Sequence, residues 1–373
     1  MSRIEEIISQ LTDIAKNPKK AMDDFTARKG TGAVGVLPIY APEEIIYAAG
    51  YLPMGLWGAE VSINKASQYL PPFACSIMQT IMELELNGTY SDLKAVLISC
   101  PCDTLKAMGQ KWKDDKVIAI PYGHAHNRKI KGCIDFQAAE YTTVKERLEK
   151  ALGVEISNKA INEAIEVYNE NRAVMRMFTE VAALHPEIID PVVRHAVIKA
   201  RQFMDKAEHT AIVKELIAEL MQAPIVPFKG KKIVLTGIMA EPWSFLEVLK
   251  EYNIAVVADD LAQESRQWQT DVPAGRNPMV RLAKQWRNML ACSLATDCEK
   301  PRVKMVPNLV KAHGADAVIF CQMMFCDPEE YDYPIMLKEF AAQDIPCLKL
   351  DIDLSTVAIG QLKTRVQSLV EML

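Results

Sequence analysis

The sequence predicts an α/β protein: two doubly wound parallel-sheet domains, flavodoxin- or Rossmann-like, with a helical domain inserted between them. Three observations predict it. Val/Ile/Leu-rich runs alternate with helical periodicity in the first part of the chain and again in the last, as parallel β-α units require. Between them, apolar residues recur at three- and four-residue steps with a single glycine, Gly153. A segment rich in proline and glycine, APIVPFKGKK, then marks a linker. The expected domains are 1–142, 143–223 and 224–373.

At the N-terminus, MSRIEEIISQLTDIAKNPKK puts Ile4, Ile7, Ile8, Leu11 and Ile14 at helical spacing, an amphipathic helix without the apolar run or cleavage site of a secretion signal. Strands are expected at 32–37, 51–57, 95–100 and 116–121, with helices at 42–49 and 76–86 among them. The middle block opens with ISNKAINEAIEVYNENRAVMRMFTEVAAL. Pro186 and Pro191 punctuate the residues after it, so about four helices are expected. The last block should carry strands at 231–238, 254–260, 315–321 and 346–353. Helices are expected near 242–252, 278–290, 303–313 and 328–342, with one more at the end. Near-continuous apolar runs are what buried parallel strands need.

Composition narrows the function. The chain has 373 residues, of which 50% are hydrophobic and 24% charged, an ordinary globular balance. A net charge of -5 without a basic block argues against a phosphate-tracking nucleic-acid binder. The longest apolar stretch, Ala315 to Cys326, is interrupted by Asp316 and Gln322 and is too short to span a bilayer. Nine scattered cysteines form no disulfide framework, which points to a reducing, cytoplasmic compartment.

Ligands of open α/β sheets sit beyond the carboxyl ends of strands. Two such ends are alike here: AVLISCPCDTL brings Cys102-Asp103, and AVIFCQMMFCDPEE brings Cys326-Asp327. Each aspartate reads as a helix N-cap, and Pro328 as the first helical residue. Cys75 opens a further helix after Pro71-Pro72. Helix-start amides favour an anionic sulfur. If the three converge between the domains, they suit a soft metal or an iron–sulfur cluster with one open position. Packing as small hydrophobes is the other reading. It suffices for Cys100, Cys321 and Cys347 beside strands, while Cys133, Cys292 and Cys298 show no metal spacing.

Other patterns are weaker. Tyr122-Gly-His124-Ala-His126-Asn-Arg128 follows a strand, but histidines two apart on a loop read as a solvated turn. DDLAQESR, about twenty residues after Thr236-Gly237, faintly suggests ribose recognition, yet TGIMAEPW lacks the glycines that admit a pyrophosphate. Glu43 and Glu44 open a helix as dipole partners. GxxxxGK[ST], HExxH and GxSxG are absent from the sequence.

Several stretches resemble the 2-hydroxyacyl-CoA dehydratase (benzoyl-CoA reductase-like) family: PIYAPEEIIYAAGYLPMGLWG, FACSIMQ, CDTLKAMGQKWK, DDLAQESRQ and FCDPEEYDYP. The likeness runs from Met1 to Leu373 and fits the smaller, beta-type subunit. ISNKAINEAIEVYNENRAVMR, RHAVIKARQFM and HTAIVKELIAE are most similar to the lactoyl-CoA type. The resemblance implies that Cys75, Cys102 and Cys326 bind a [4Fe–4S] cluster with a non-cysteine fourth ligand. It implies elimination of water from an (R)-2-hydroxyacyl-CoA, lactoyl-CoA to acryloyl-CoA, through a ketyl radical. It further implies a partner alpha subunit that meets the substrate, an ATP-dependent activator that injects the electron, and a relay role for this chain's cluster. A flavin is compatible with the family, and nothing in the sequence argues for one. The loop usually reads His-Pro-Gln-Asn-Arg in the family, and His124-Ala-His-Asn-Arg128 departs from it. Glu43, Glu44, His124 and Arg128 are candidates for the catalytic neighbourhood; the base itself is not readable. The alternatives are a subunit of an aromatic acyl-CoA reductase and a relay subunit without substrate chemistry.

Overall fold

The computed structural model describes residues 2–112, 114–356 and 358–373. The chain opens with α1 (Arg3–Lys16) and α2 (Pro18–Lys29). The single amphipathic helix expected here is thus broken at Asn17, where Pro18 starts a second one. The first sheet takes β1 (Ala33–Leu37), β2 (Leu52–Gly55), β3 (Ala95–Cys100) and β4 (Ile118–Gly123). Helices α3 (Glu43–Ala48), α4 (Ser76–Leu86) and α5 (Asp103–Lys111) fall between those strands. Four helices come next: α6 (Cys133–Leu152), α7 (Asn158–Leu184), α8 (Pro191–Ala200) and α9 (Lys206–Gln222).

The second sheet is built from β5 (Lys231–Gly237), β6 (Ile254–Leu261), β7 (Ala317–Met323) and β8 (Cys347–Ile352). Its helices are α10 (Trp243–Glu251), α11 (Pro278–Asn288), α12 (Arg302–His313), α13 (Asp327–Ala342) and α14 (Ile359–Met372). Both sheets are parallel throughout and repeat one order, β2-β1-β3-β4 and β6-β5-β7-β8.

The apolar runs are explained by burial on both sheet faces. In β1, Val34 and Val36 pack toward Tyr141, Val144 and Leu148 of α6, while Ala33 and Leu37 join the apolar cluster containing Ile77 and Ile81 of α4. In β5, Ile233 and Leu235 join Phe245 of α10 and Val366 of α14, whereas Val234 meets Val310 of α12 and Phe340 of α13. Helix α6 begins at Cys133, before the expected start of the helical segment, because its apolar stripe covers the first sheet. Ile7, Leu11 and Ala15 of α1 bury against Phe178, Val197 and Leu216 of α7–α9.

One apolar cluster runs continuously from the first sheet into the second, joining Met78 to Met323 and Leu354. At that seam Ser76 Oγ accepts from the Leu354 amide at 3.0 Å. The carboxyl ends of both sets of strands therefore meet there.

Candidate functional site

Each of the three cysteines stands at the first residue outside a helix. Cys75 caps α4, Cys102 caps α5 and Cys326 caps α13. The aspartates expected as caps lie one residue further in. Asp103 and Asp327 are first-turn residues whose carboxylates complement the helix dipole, and Pro328 is second. The reason is the strand-to-helix turn, which leaves the cysteine itself in non-helical backbone.

The three thiols line one cavity together with Pro38, Ile39, Trp57, Met78, Ile238 and Met323. Its empty space is about 400 Å³, the open mouth included. Its walls follow the carboxyl ends of β1, β2, β3, β5 and β7 almost residue by residue. Two side-chain contacts hold the wall. Ser99 Oγ takes the Ile39 amide and gives to the Ile39 carbonyl, both at 2.9 Å. Ser76 Oγ also sits 3.3 Å from Met323 Sδ.

Burial decides the protonation of these sulfurs. It pushes the Cys75 thiol up to about 12, against the lowering pull of the Met78 and Ile77 amides. Cys102 is raised by burial despite the Leu105 and Thr104 amides. Cys326 is raised well above its ordinary value by burial and then by Glu329. The helix-start amides act in the expected direction but are outweighed, so the free chain holds thiols. Loading a metal must displace their protons.

The donor set suits a cluster better than a single ion. Among the described residues, no three His, Cys, Asp or Glu side chains are close enough to hold one metal ion. A cubane spreads its thiolates over separate irons, and its ligands stand correspondingly further apart. Three soft sulfurs in an apolar cavity, without a cation among the lining residues, are the donor chemistry of such a cluster. Cys100 is directed elsewhere: its sulfur lies toward Leu105 of α5 and does not line the cavity.

The remaining candidates lie outside this cavity. Glu44 is buried in an ion pair with Arg172 of α7. Glu43 receives the Tyr168 hydroxyl at 3.1 Å and the Lys206 ammonium at 3.1 Å. Burial would raise its carboxyl, but Lys206 and Arg201 together hold it below the ordinary value.

The loop read as a solvated turn is largely a buried clasp. His124 is 4% exposed, with Trp286 at 4.9 Å and Tyr122 at 5.2 Å between ring centres. Burial pushes its pKa down to about 3. Arg128 donates to the Met289 carbonyl at 2.5 Å, and the Trp286 indole donates to the Ala125 carbonyl at 2.9 Å. His126 reaches the Pro101 carbonyl at 2.9 Å, beside Cys102. The loop thus ties the first sheet to the segment after α11.

The DDLAQESR carboxylates are committed to ion pairs, which removes the ribose reading. Asp259 pairs with Arg194. Asp260 accepts from Arg266 and Arg302, each at 2.8 Å, and from Thr236 Oγ1 at 2.9 Å. Arg302 also meets Glu329 at 3.0 Å, three residues after Cys326. Sequence reading missed this network and the apolar walls Pro38, Ile39, Trp57 and Ile238. Their position after strand ends was the one signal for them.

Paired parallel sheets with cysteines at their facing carboxyl ends define the class: an α/β protein with a sulfur-lined pocket at the seam. The chain belongs to the 2-hydroxyglutaryl-CoA dehydratase D-component family, whose profile matches residues 38–373. It is 54% identical to the lactoyl-CoA dehydratase subunit beta of Anaerotignum propionicum, with all of both chains covered. It is 40% identical to the (R)-phenyllactyl-CoA dehydratase beta subunit of Clostridium sporogenes, again over all of both chains. Identity to the (R)-2-hydroxyglutaryl-CoA dehydratase subunit beta of Acidaminococcus fermentans is 37%, over 99% of this chain and all of the relative. No helix among the described residues is long and apolar enough to cross a membrane.

Proposed function

We propose that this chain is the beta subunit of a 2-hydroxyacyl-CoA dehydratase, a hydro-lyase taking lactoyl-CoA to acryloyl-CoA. It would hold a [4Fe–4S] cluster on Cys75, Cys102 and Cys326. The observation that carries the reading is the meeting of those thiols, from two sheets, in one apolar cavity. In the overall plan, two doubly wound units, 1–142 and 224–373, flank the helical segment 143–223.

The bound cluster would supply a low-potential electron, which elimination needs because the thioester does not acidify the C3 hydrogen. The protein's own part is to orient the three sulfurs and keep water from the pocket. Among the described lining residues there is no carboxylate, histidine, lysine or arginine to move a proton. That favours relay of an electron here, with proton chemistry in an alpha subunit and the electron supplied by an ATP-dependent activator. The cytoplasm is the compartment such chemistry requires.

The partner's surface is suggested by exposed aromatic side chains that flank two of the cysteines in sequence. Phe73 is 67% exposed, Tyr331 79% and Phe325 46%, each close in sequence to Cys75 or Cys326. Exposed aromatic side chains are residues that interfaces favour.

The test is iron and acid-labile sulfide per chain after anaerobic purification, beside Cys326→Ser. About four of each are expected in the natural chain, with the cluster lost in the variant. Repeated absence of iron after reconstitution would reduce the three cysteines to packing. Relay is tested by lactoyl-CoA turnover, which should need the alpha subunit and remain absent from the iron-loaded chain alone.

A further inference from the structure

A buried network of charges stands behind Cys326 and takes no part in the chemistry assigned so far. Three carboxylates crowd the start of α13, and two of them, Asp327 and Glu330, are exposed to water. The third, Glu329, is fully buried, and its amide donates to the Cys326 carbonyl at 3.0 Å. Its Oε1 accepts from Ser293 Oγ at 2.7 Å, and its Oε2 from Arg302 at 3.0 Å. Arg266 stands 3.4 Å away. Asp260 shares both arginines, and Asp332 pairs with Arg302 and Lys300.

Three cations, Arg266, Arg302 and Lys300, thus face three carboxylates, and at a distance their fields largely cancel. Close by, the nearest member dominates, since Coulomb energy falls with separation. Glu329 is that member for Cys326: after burial, its charge is the strongest influence raising the thiol. Burial would raise the Glu329 carboxyl as well, but Arg302 and Arg266 hold it below its ordinary value, so it stays ionised. Asp103, beside Cys102, differs: its side chain is 98% exposed, and water and salt screen it. Stability alone does not account for the network, because buried ion pairs often contribute no more than apolar side chains of the same volume.

We infer that Glu329 sets the reduction potential of the iron–sulfur group held by Cys326, its buried negative charge opposing the arrival of an electron. The inference rests on the cluster reading above. An electron entering such a group adds one negative charge to a site of low dielectric, where a neighbouring carboxylate disfavours it. Ser293 moderates the effect by donating to that carboxylate. Glu329 does not line the cavity, and it acts through Cys326 as a positioning residue.

The test is a one-electron redox titration of the anaerobically purified, iron-loaded full-length chain, with a europium(II) chelate as reductant and electron paramagnetic resonance as readout. Glu329→Gln should favour the reduced form about tenfold at a given potential, a midpoint about 59 mV more positive, with iron content unchanged. Ser293→Ala keeps the charge and removes its donor, so its midpoint should move the opposite way, by about twofold. Opposite shifts cannot come from a loosened α13, and Ser293→Ala carries the test should Glu329→Gln fail to fold or to hold iron. Asp332→Asn removes the same charge further along α13 and should move the midpoint less than half as far as Glu329→Gln. An unmoved midpoint in Glu329→Gln or Ser293→Ala, or shifts of one sign in both, would overturn the inference and leave the cluster reading intact. So would an Asp332→Asn shift as large as that of Glu329→Gln. A natural chain that takes up no iron would overturn both.

Discussion

Residue by residue, the chain spends its buried charges in pairs, and the pairs set what substitution does. Glu44 and Arg172 are 2% and 6% exposed as side chains and reach each other from α3 and α7. Removing one partner strands the other charge in the interior, which costs about 3–5 kcal/mol. Arg172→Met should therefore lower the urea midpoint strongly, while Glu44→Gln with Arg172→Met should recover a large part of the loss. Equal destabilisation by single and double variants would mean that the pair does not act as a unit. The sequence shows Glu44 as a first-turn carboxylate and nothing more, because its partner stands far along the chain. The three cysteines differ: a cysteine next to a helix start announces its backbone setting locally, so their placement was legible without partners.

At the scale of elements, α8 shows how a helix can be set by carboxylates it does not carry. Its start is ordinary, with Asp190 accepting from the Val192 and Val193 amides at 2.9 Å. Its buried face brings His195 Nδ1 to 2.8 Å from Glu264, and Lys199 to 2.8 Å from Glu241. His195 Nε2 stands 3.3 Å from Glu241 without the alignment of a hydrogen bond. Burial lowers the imidazole pKa, but Glu241 and Glu264 more than offset it, and the net shift is upward. A histidine with a raised folded pKa contributes stability that is complete below its unfolded value of about 6.5. That contribution disappears as pH rises through the folded value. Thermal denaturation from pH 6 upward should show stability falling once pH passes the unfolded value of about 6.5, and His195→Gln should flatten that slope. An unchanged slope in the variant would assign the dependence to other groups. The sequence pointed to about four helices in this stretch and to the strand carrying Asp259 and Asp260, but it could not pair α8 with that strand. DDLAQESR therefore looked open to a ligand when its acids were already held.

For the whole molecule, the decisive feature is the seam where the two sheets present their carboxyl ends. Cys75 and Cys102 come from the first sheet's side and Cys326 from the second's. The clasp of Arg128 on Met289 and the bond between Ser76 and Leu354 close the same seam. Phe73, Phe325 and Tyr331, close in sequence to Cys75 or Cys326, are exposed. A few large side chains carry most of the energy of an interface. Phe73→Glu with Tyr331→Glu should weaken association with the alpha subunit at least tenfold, read by analytical ultracentrifugation, with iron content unchanged. Undiminished association would move the interface to another face.

By itself the sequence determined the class of fold, most strand and helix positions, and the cysteines at helix starts. Those depend on hydrophobic period, turn residues and strand-end position, all of which act over a few neighbouring residues. Only the tertiary structure decided that the three thiols share one apolar pocket and that burial keeps them protonated in the free chain. It also decided that the 124–128 loop is a clasp, and that the acids of DDLAQESR are held by distant arginines. Each of those depends on which distant side chains meet and how much water they exclude, and local pattern carries no record of either.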